Sequence, residues 1–189
     1  QSERPEIHRR RAAELLAADR IYRCFCTPAE LAERRQAAQA AGQPVGYDGR
    51  CGRLDPGEAR RRHEDGEPNA LRFRVPAGTV AWSAGVRGTV EFENRNLADF
   101  VILRSDGRAA YNVAVVVDDA FQEVTHVTRG EDLLPSTHVH RTLQALLHLP
   151  EPRYHHHALI KGEDGERLAK RDEAPTLRDL RSTGRSASE

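Results

Sequence analysis

The chain has 189 residues, of which 38% are hydrophobic and 31% are charged, so it can bury a core but is long for one compact unit. Its 29 basic and 29 acidic residues cancel, which excludes bulk charge as an indication of nucleic-acid or acidic-ligand binding. No apolar run approaches the length of a membrane span and no signal peptide is visible, so the sequence predicts a cytoplasmic protein without membrane partners. Three cysteines, an odd number, argue against a disulfide framework.

The first third of the chain has the pattern of helices around one short strand. Apolar positions at helical spacing and alternating positions predict helices over 6–19, 28–41 and 56–64, and a strand over 21–26. The start of the second helix is the best defined, because Thr27 is suited to the N-cap, Pro28 to the first helical position and Glu30 to the capping box.

Between residues 70 and 104 the pattern changes to short alternating segments. Segments 71–75 and 89–92 alternate apolar and polar residues and are separated by proline and glycine, which is typical of antiparallel strands. A further strand over 100–104 leads into a turn at 105–108. This part of the chain is therefore expected to be rich in β structure.

The β-branched block from Val113 to Val117 predicts a strand buried on both faces, as in a parallel sheet. It ends at Asp118 and Asp119, and ligands bind just beyond the carboxyl ends of parallel strands. A second strand over 124–127 leads to Arg129, whose planar guanidinium is suited to binding a carboxylate or a phosphate. A surface turn with solvated charges is the alternative interpretation.

The last third contains a predicted helix from about residue 138 to residue 147 and a histidine-rich strand over 155–160. Alternation places neighbouring strand residues on opposite faces, so at most His155 and His157 can share a site, and we do not expect them to bind metal. Lys170 lies on a glycine-flanked loop and is a candidate phosphate clamp. A final helix is expected to begin at 177–181.

The cysteines form the best metal candidate. Cys24 and Cys26 are followed at a distance by Tyr47 and Cys51, and three thiolates of this kind suit tetrahedral zinc. Either Tyr47 or His63 can supply the fourth ligand. The alternative is three buried cysteines that act as small apolar residues.

Several blocks of the sequence together resemble the class I aminoacyl-tRNA synthetases for glutamate. They are Cys24 to Pro28, Tyr111 to Asp119, Thr125 to Asp132, and Arg167 to Arg171 in the position of the KMSKS-type loop. The similarity extends over nearly the whole chain. The short members without an anticodon-binding domain, the glutamyl-Q tRNA(Asp) synthetases, resemble it most, because they share the Cys-x-Cys and Tyr-x-x-x-Cys pattern and a segment like Leu134 to Arg141.

Three features differ from that family. The interval between Cys26 and Tyr47 is enlarged by a predicted helix, and Ala169 replaces the usual serine of the loop. The HIGH-type histidine motif is also absent, and the chain contains no methionine. We therefore expect these residues to be the C-terminal part of a catalytic core that does not form adenylate by itself.

The resemblance implies an α/β fold with part of a Rossmann-type parallel sheet and an inserted subdomain that is β-rich and contains zinc. It divides the chain into the end of the first Rossmann half, a zinc-binding region, a β-rich acceptor-type insertion, the second Rossmann half, and the KMSKS-type loop with its following helix. The corresponding ranges are 1–21, 22–66, 67–108, 109–160 and 161–189.

The resemblance also implies roles for individual residues. Tyr111 and Arg129 would bind glutamate, with the arginine pairing with its side-chain carboxylate. Lys170 would be catalytic and would bind ATP, which enters with Mg²⁺, together with Asp132. Zinc would be held by Cys24, Cys26, Tyr47 and Cys51.

The implied reaction is ATP-dependent formation of glutamyl-adenylate, followed by transfer of glutamate to the queuosine of tRNA(Asp). The alternative acceptor is tRNA(Glu), if the chain is a fragment of a glutamyl-tRNA synthetase. An alternative of a different class is a noncatalytic, zinc-containing module that binds RNA or has a regulatory role.

Overall fold

The computed structural model describes residues 4–86, 88–161, 165, 176–184 and 186. The α-helices in this part are α1 Pro5–Ala17, α2 Pro28–Ala40, α3 Pro56–Glu64, α4 Tyr111–Phe121, α5 Leu134–Leu146 and α6 Leu177–Ser182. The strands are β1 Ile21–Cys24, β2 Ala70–Phe73, β3 Thr79–Ala84, β4 Gly88–Glu93, β5 Phe100–Leu103, β6 His126–Gly130 and β7 Arg153–His157. None of the described helices combines the length and apolar character that crossing a membrane requires.

The strands form two sheets. The first has the order β1-β2-β5 and is antiparallel throughout. The second has the order β4-β3-β7-β6 and is mixed, since β3 and β4 are antiparallel whereas β7 is parallel to both β3 and β6. The expected α/β class is confirmed, with a mixed sheet in place of an all-parallel one. The five-part division of the chain stays a prediction.

Helix α5 lies between the two main packing regions. The larger core combines α1, α4 and α5 with the first sheet, and its fully buried members include Phe73, Ile102 and Leu143. A smaller cluster around Trp82 and Tyr154 packs the second sheet against the start of α5. Helix α5 is therefore buried on more than one side, which explains why polar residues such as Gln144 are also buried on it.

The predicted strand over Val113–Val117 is wrong, because these residues lie within α4. Val113, Val116 and Val117 are buried in the main core at the i, i+3 and i+4 spacing of a helix face, whereas Val115 is only partly buried. A short apolar run does not distinguish a buried strand from a buried helix by periodicity. Tertiary packing on α1 and α5 favours the helix despite the β-branched side chains.

Other elements agree with the predictions to varying degrees. The capping box at Thr27 and Glu30 is present, and α3 and α6 occur where they were expected. β6 begins later than predicted and contains Arg129. α5 begins earlier than predicted, at Leu134, with Pro135 in its first turn, and β7 ends earlier than predicted, at His157. β3 was missed, although its alternating burial over residues 79–84 is that of a half-buried strand.

Candidate functional site

Arg129 lies in a polar cluster formed by β6, β7 and the first turn of α5. It is opposite His156 in the parallel ladder, and its Nε lies 3.4 Å from His156 Nε2. One terminal nitrogen donates to the Thr137 hydroxyl and to the Leu133 carbonyl oxygen. The second terminal nitrogen has no hydrogen-bond partner among the described residues. The guanidinium is thus held in one orientation with donors left for a ligand.

The charge of Arg129 is not matched by a carboxylate at ion-pair distance within the described part of the chain. Burial lowers the pKa of the Arg129 guanidinium, while Tyr154, Tyr111, Asp119 and Asp132 act in the opposite direction. Its Cζ lies 5.4 Å from the centre of the Tyr154 ring. A half-buried guanidinium remains charged, so a ligand carboxylate is its natural counter-ion.

Tyr111 lies at the exposed side of this cluster, at the first position of α4. It is 57% exposed, and its ring centre lies 6.2 Å from that of His140. His140 Nε2 lies 3.1 Å from Asn112 Oδ1. Burial, assisted by the nearby positive charge of Arg129, lowers the pKa of His140 to about 3. The imidazole is therefore neutral near pH 7 and adds no second positive charge beside Arg129.

The two aspartates at the end of α4 have different surroundings. Asp118 accepts a hydrogen bond from Arg4 Nε at 3.0 Å and lies 2.9 Å from His8 Nε2. Burial raises the pKa of Asp118, but the Arg4 and His8 hydrogen bonds outweigh it and leave the pKa below its ordinary value. Burial raises the pKa of Asp119, and Arg129 opposes that effect. Asp119 therefore belongs to the electrostatic surroundings of Arg129, whereas Asp118 joins α4 to α1.

Asp132 follows Arg129 closely, in the 3-10 turn Glu131–Leu133 that joins β6 to α5. A Cβ on Gly130 would lie 2.5 Å from Asp132 Oδ1 and 2.9 Å from Leu159 Cδ2, so any larger residue here would displace the Asp132 or Leu159 side chain. The other ATP-binding candidate, Lys170, lies outside the described residues.

The predicted zinc ligands form a second cluster, beside the first sheet. The Sγ atoms of Cys24, Cys26 and Cys51 all lie within 4.8 Å of one another, and Cys26 and Cys51 are 3.6 Å apart. Cys24 ends β1, and Cys51 lies in the 3-10 turn Arg50–Arg53. Thiolates on a tetrahedral zinc with Zn–S bonds of about 2.3 Å are separated by roughly 3.8 Å. The thiols are thus spaced as zinc requires.

Tyr47 completes a set of four donors. Its hydroxyl oxygen lies 3.4 Å from Cys24 Sγ and 3.9 Å from Cys26 Sγ, and it accepts the Cys51 backbone N–H at 3.0 Å. The alternative fourth donor, His63, is exposed, and its Nδ1 lies 3.2 Å from the Asn69 side-chain amide nitrogen. The helix that enlarges the interval before Tyr47 is α2, and it does not separate Tyr47 from the thiols. The donor set fits zinc.

The protonation of the cysteines depends on their neighbours. Burial and the hydrogen bond with Cys51 raise the pKa of Cys26 to about 12. Burial also raises the pKa of Cys24, but hydrogen bonds with Tyr47 and Arg72 outweigh it and leave that pKa below its ordinary value. A metal that binds here must displace protons, so its affinity falls as the pH falls.

Comparison with known proteins assigns the fold. The family profile described as "tRNA synthetases class I (E and Q), catalytic domain" matches residues 1–185. The chain belongs to this synthetase family. A solved structure with the same fold is the glutamate-tRNA synthetase of Elizabethkingia anophelis, with a TM-score of 0.83 and 31% identity over 91% of this chain and 37% of that one.

Curated relatives of this synthetase domain include enzymes with two different names. The glutamate–tRNA ligase of Aquifex aeolicus is 41% identical over 97% of this chain and 39% of its own length. The glutamyl-Q tRNA(Asp) synthetase of Symbiobacterium thermophilum is 43% identical over 98% of this chain and 58% of its own length. The chain therefore spans between about two fifths and three fifths of the length of these relatives.

Sequence reasoning did not identify the residues that hold Arg129 in this synthetase domain. Thr137 and His156 contact Arg129 and are buried, and the buried His140 lies near enough for the charge of Arg129 to lower its pKa. The alternation of β7 separates His156 from His155 and His157, and this was the available signal that one histidine faces inward. Thr137 and His140 carry no comparable signal, because their importance depends on contacts made across the fold.

Proposed function

We propose that the protein carrying this chain activates glutamate with ATP and transfers it to a tRNA. The observation that carries the proposal is the half-buried Arg129, which is fixed by Thr137 and His156. One of its terminal nitrogens can still donate to a ligand, and no carboxylate in the described structure balances its charge. It would bind the side-chain carboxylate of glutamate, with Tyr111 beside it. Membership in the class I (E and Q) synthetase family supports glutamate over other acidic ligands.

In the proposed reaction an oxygen of the glutamate α-carboxylate attacks the α-phosphorus of ATP, and pyrophosphate leaves with the electrons of the broken P–O bond. Attack by an acceptor hydroxyl on the mixed anhydride then forms an ester and releases AMP. Such steps depend mainly on positioning and charge stabilisation. Lys170 and Asp132 are the proposed ATP contacts, with Mg²⁺ on the phosphates.

Zn²⁺ is the proposed metal at Cys24, Cys26, Tyr47 and Cys51. With four protein donors and no open position, it would stabilise the fold of the 47–53 loop and would take no part in the reaction. The close approach of the Tyr47 hydroxyl to two thiols supports a tyrosine as the fourth ligand.

For the acceptor we propose the queuosine of tRNA(Asp). The grouping of Tyr47 with the three cysteines supports this choice, because the short glutamyl-Q enzymes share that pattern. The second candidate is tRNA(Glu), which is favoured by the names of several relatives that are about as similar. The five-part division given above is proposed for the same chain.

The test uses the protein that carries these 189 residues. ATP–pyrophosphate exchange is measured with glutamate in the presence and absence of tRNA, and labelled glutamate is offered to queuosine-containing tRNA(Asp), queuosine-free tRNA(Asp) and tRNA(Glu). We expect exchange without tRNA and labelling of queuosine-containing tRNA(Asp) alone. Labelling of tRNA(Glu), with exchange that requires it, would support the second candidate. Tight tRNA binding with no exchange under any condition would support a noncatalytic module.

A further inference from the structure

We infer that Arg72 is a positioning residue for the metal at the cysteine cluster: its guanidinium orients Tyr47 and balances the excess negative charge of the thiolates. The inference rests on the proposed metal site, and it assigns a role to a residue that is not itself a ligand.

The first sheet brings Arg72 to the cluster. Arg72 lies opposite Tyr22 in the antiparallel pairing of β1 and β2, so it is a diagonal neighbour of Cys24 on the same face. The opposite face carries Ile21 and Phe73 into the main core. The register of β2 against β5 shifts between Leu71 and Arg72, whereas the pairing of Arg72 with β1 is regular and fixes the face on which it lies.

The guanidinium of Arg72 stacks on one donor residue and lies on the same strand face as another. Its Cζ lies 3.8 Å from the centre of the Tyr47 ring, and Arg72 is the diagonal cross-strand neighbour of Cys24. One terminal nitrogen also donates to the Asp99 carbonyl oxygen at 3.1 Å. The stacked guanidinium therefore restricts the ring whose hydroxyl approaches the thiols. This is how residues behind the ligands orient them at metal sites.

The charge of Arg72 requires a counter-charge. The residue is only 7% exposed, its Nε has no hydrogen-bond partner in the described structure, and no carboxylate among the described residues lies within ion-pair distance. Burying a cation is costly unless an anion is nearby. Three thiolates exceed the charge of a divalent cation by one, and a Tyr47 phenolate would add a second negative charge, so the guanidinium offsets one unit of the excess. The metal-loaded cluster is thus the counter-ion that the protein chain alone does not provide.

Arg62 provides a matched comparison close by. Its guanidinium lies 4.3 Å from the centre of the Phe25 ring, but it forms a two-pronged ion pair with Glu67. Its charge is therefore already balanced by a carboxylate. Removal of Arg62 should disturb packing near the cluster, and because Arg62 and Glu67 are partly exposed, solvent screens the charge change and its effect on the metal should be small.

The experiment measures zinc affinity by competition with a chromophoric chelator at one fixed pH. The proteins are the parent and its Arg72→Met, Arg72→Lys and Arg62→Met variants, and circular dichroism of each confirms the fold. We expect Arg72→Met to weaken zinc binding by about 10–100-fold, as is typical when a residue behind the ligands is lost. Arg72→Lys should retain part of the affinity because it keeps the charge, and Arg62→Met should bind like the parent.

The absorption spectrum of bound Co²⁺ gives a second readout, which reports ligand geometry independently of enzymatic activity. A changed spectrum in Arg72→Met, with an unchanged spectrum in Arg62→Met, supports the positioning role. Parent-like zinc affinity in folded Arg72→Met overturns the inference, and so does equal weakening in Arg72→Met and Arg72→Lys. A parent protein that binds no zinc refutes the proposed metal site itself, which is a distinguishable result.

Discussion

Arg129 and Arg72 are two arginines with similar surroundings and different exposure. Each has its guanidinium near a tyrosine ring, at 5.4 Å for Arg129 over Tyr154 and 3.8 Å for Arg72 over Tyr47. Neither has a carboxylate at ion-pair distance among the described residues. Arg72 is buried, whereas Arg129 is only partly buried. We interpret each arginine without a carboxylate partner as a site for a negatively charged group. The accessible Arg129 suits an exchangeable ligand, whereas the buried Arg72 suits a permanently bound metal cluster.

Substitution of Arg129 has the largest expected effect, because it removes the guanidinium that is proposed to bind glutamate. We expect Arg129→Ala to reduce kcat/KM for glutamate in ATP–pyrophosphate exchange by about 30-fold or more, because loss of one partner of a desolvated ion pair costs roughly 2–5 kcal/mol. The assay is exchange at several glutamate concentrations. Arg153→Ala is the control, since Arg153 is exposed on the adjacent strand β7. Similar losses in both variants would contradict a specific role for Arg129.

Removal of the metal tests the proposed counter-ion of Arg72. If zinc is the counter-ion of Arg72, a chelator should lower the free energy of unfolding of the parent by about 2 kcal/mol or more, because a metal that binds only the folded state stabilises it. Thermal unfolding with and without chelator measures this effect. Cys51→Ser should unfold at a lower temperature and show little further response. A parent whose unfolding temperature is unchanged after complete removal of zinc would contradict the expectation.

His140 allows the Arg129 site to be examined by pH. Its pKa is lowered to about 3 in the folded protein, below its ordinary value of 6.5, so the unfolded state binds more protons between these two values. Stability should therefore decrease as the pH falls from 6.5 towards 3, by at most about 1.4 kcal/mol per pH unit from this residue.

The variant His140→Gln removes this titration and can still donate a hydrogen bond to Asn112. Urea unfolding at pH 7 and pH 5 should show a loss of stability that is smaller in His140→Gln than in the parent, by about 1–2 kcal/mol. His157→Gln is the control, because His157 is exposed. An equal loss in the parent and His140→Gln would show that His140 does not remain neutral through this range.

The smallest effect is expected at the start of α2, the helix between Cys26 and Tyr47. Thr27 accepts the Glu30 N–H at 3.2 Å, and the Glu30 carboxylate accepts the Thr27 N–H at 2.7 Å. Thr27→Ala should cost about 1 kcal/mol of stability by loss of the cap. Because Cys24 ends β1 and Tyr47 and Cys51 lie in the 47–53 loop, only Cys26 adjoins the cap, and zinc affinity should not change. A loss of affinity comparable with that of Arg72→Met would show that α2 helps to form the metal site.

The predictions from sequence succeeded where the signal was local. The capping box at Thr27 and the grouping of Cys24, Cys26 and Cys51 each depend on residues within one short stretch or on a recognisable ligand pattern, and the structure contains both. They failed at Val113–Val117, where the same apolar residues suit a buried strand or a buried helix. Only the packing of α4 against its neighbours distinguishes the two.

The sequence by itself indicated the synthetase family, which the comparisons confirm, and it predicted the metal donors and the role of Arg129, because residue types and their spacing carry that information. The tertiary structure decided how each arginine is held. Arg129 is fixed by Thr137 and His156, and Arg72 stacks on the Tyr47 ring from a strand in a later part of the chain. His156 and Tyr47 are distant in sequence from the arginines that they contact, and Thr137 approaches Arg129 because α5 begins beside β6, so no local pattern specifies these contacts. The tertiary structure also decides that Arg72 is buried without a carboxylate partner among the described residues.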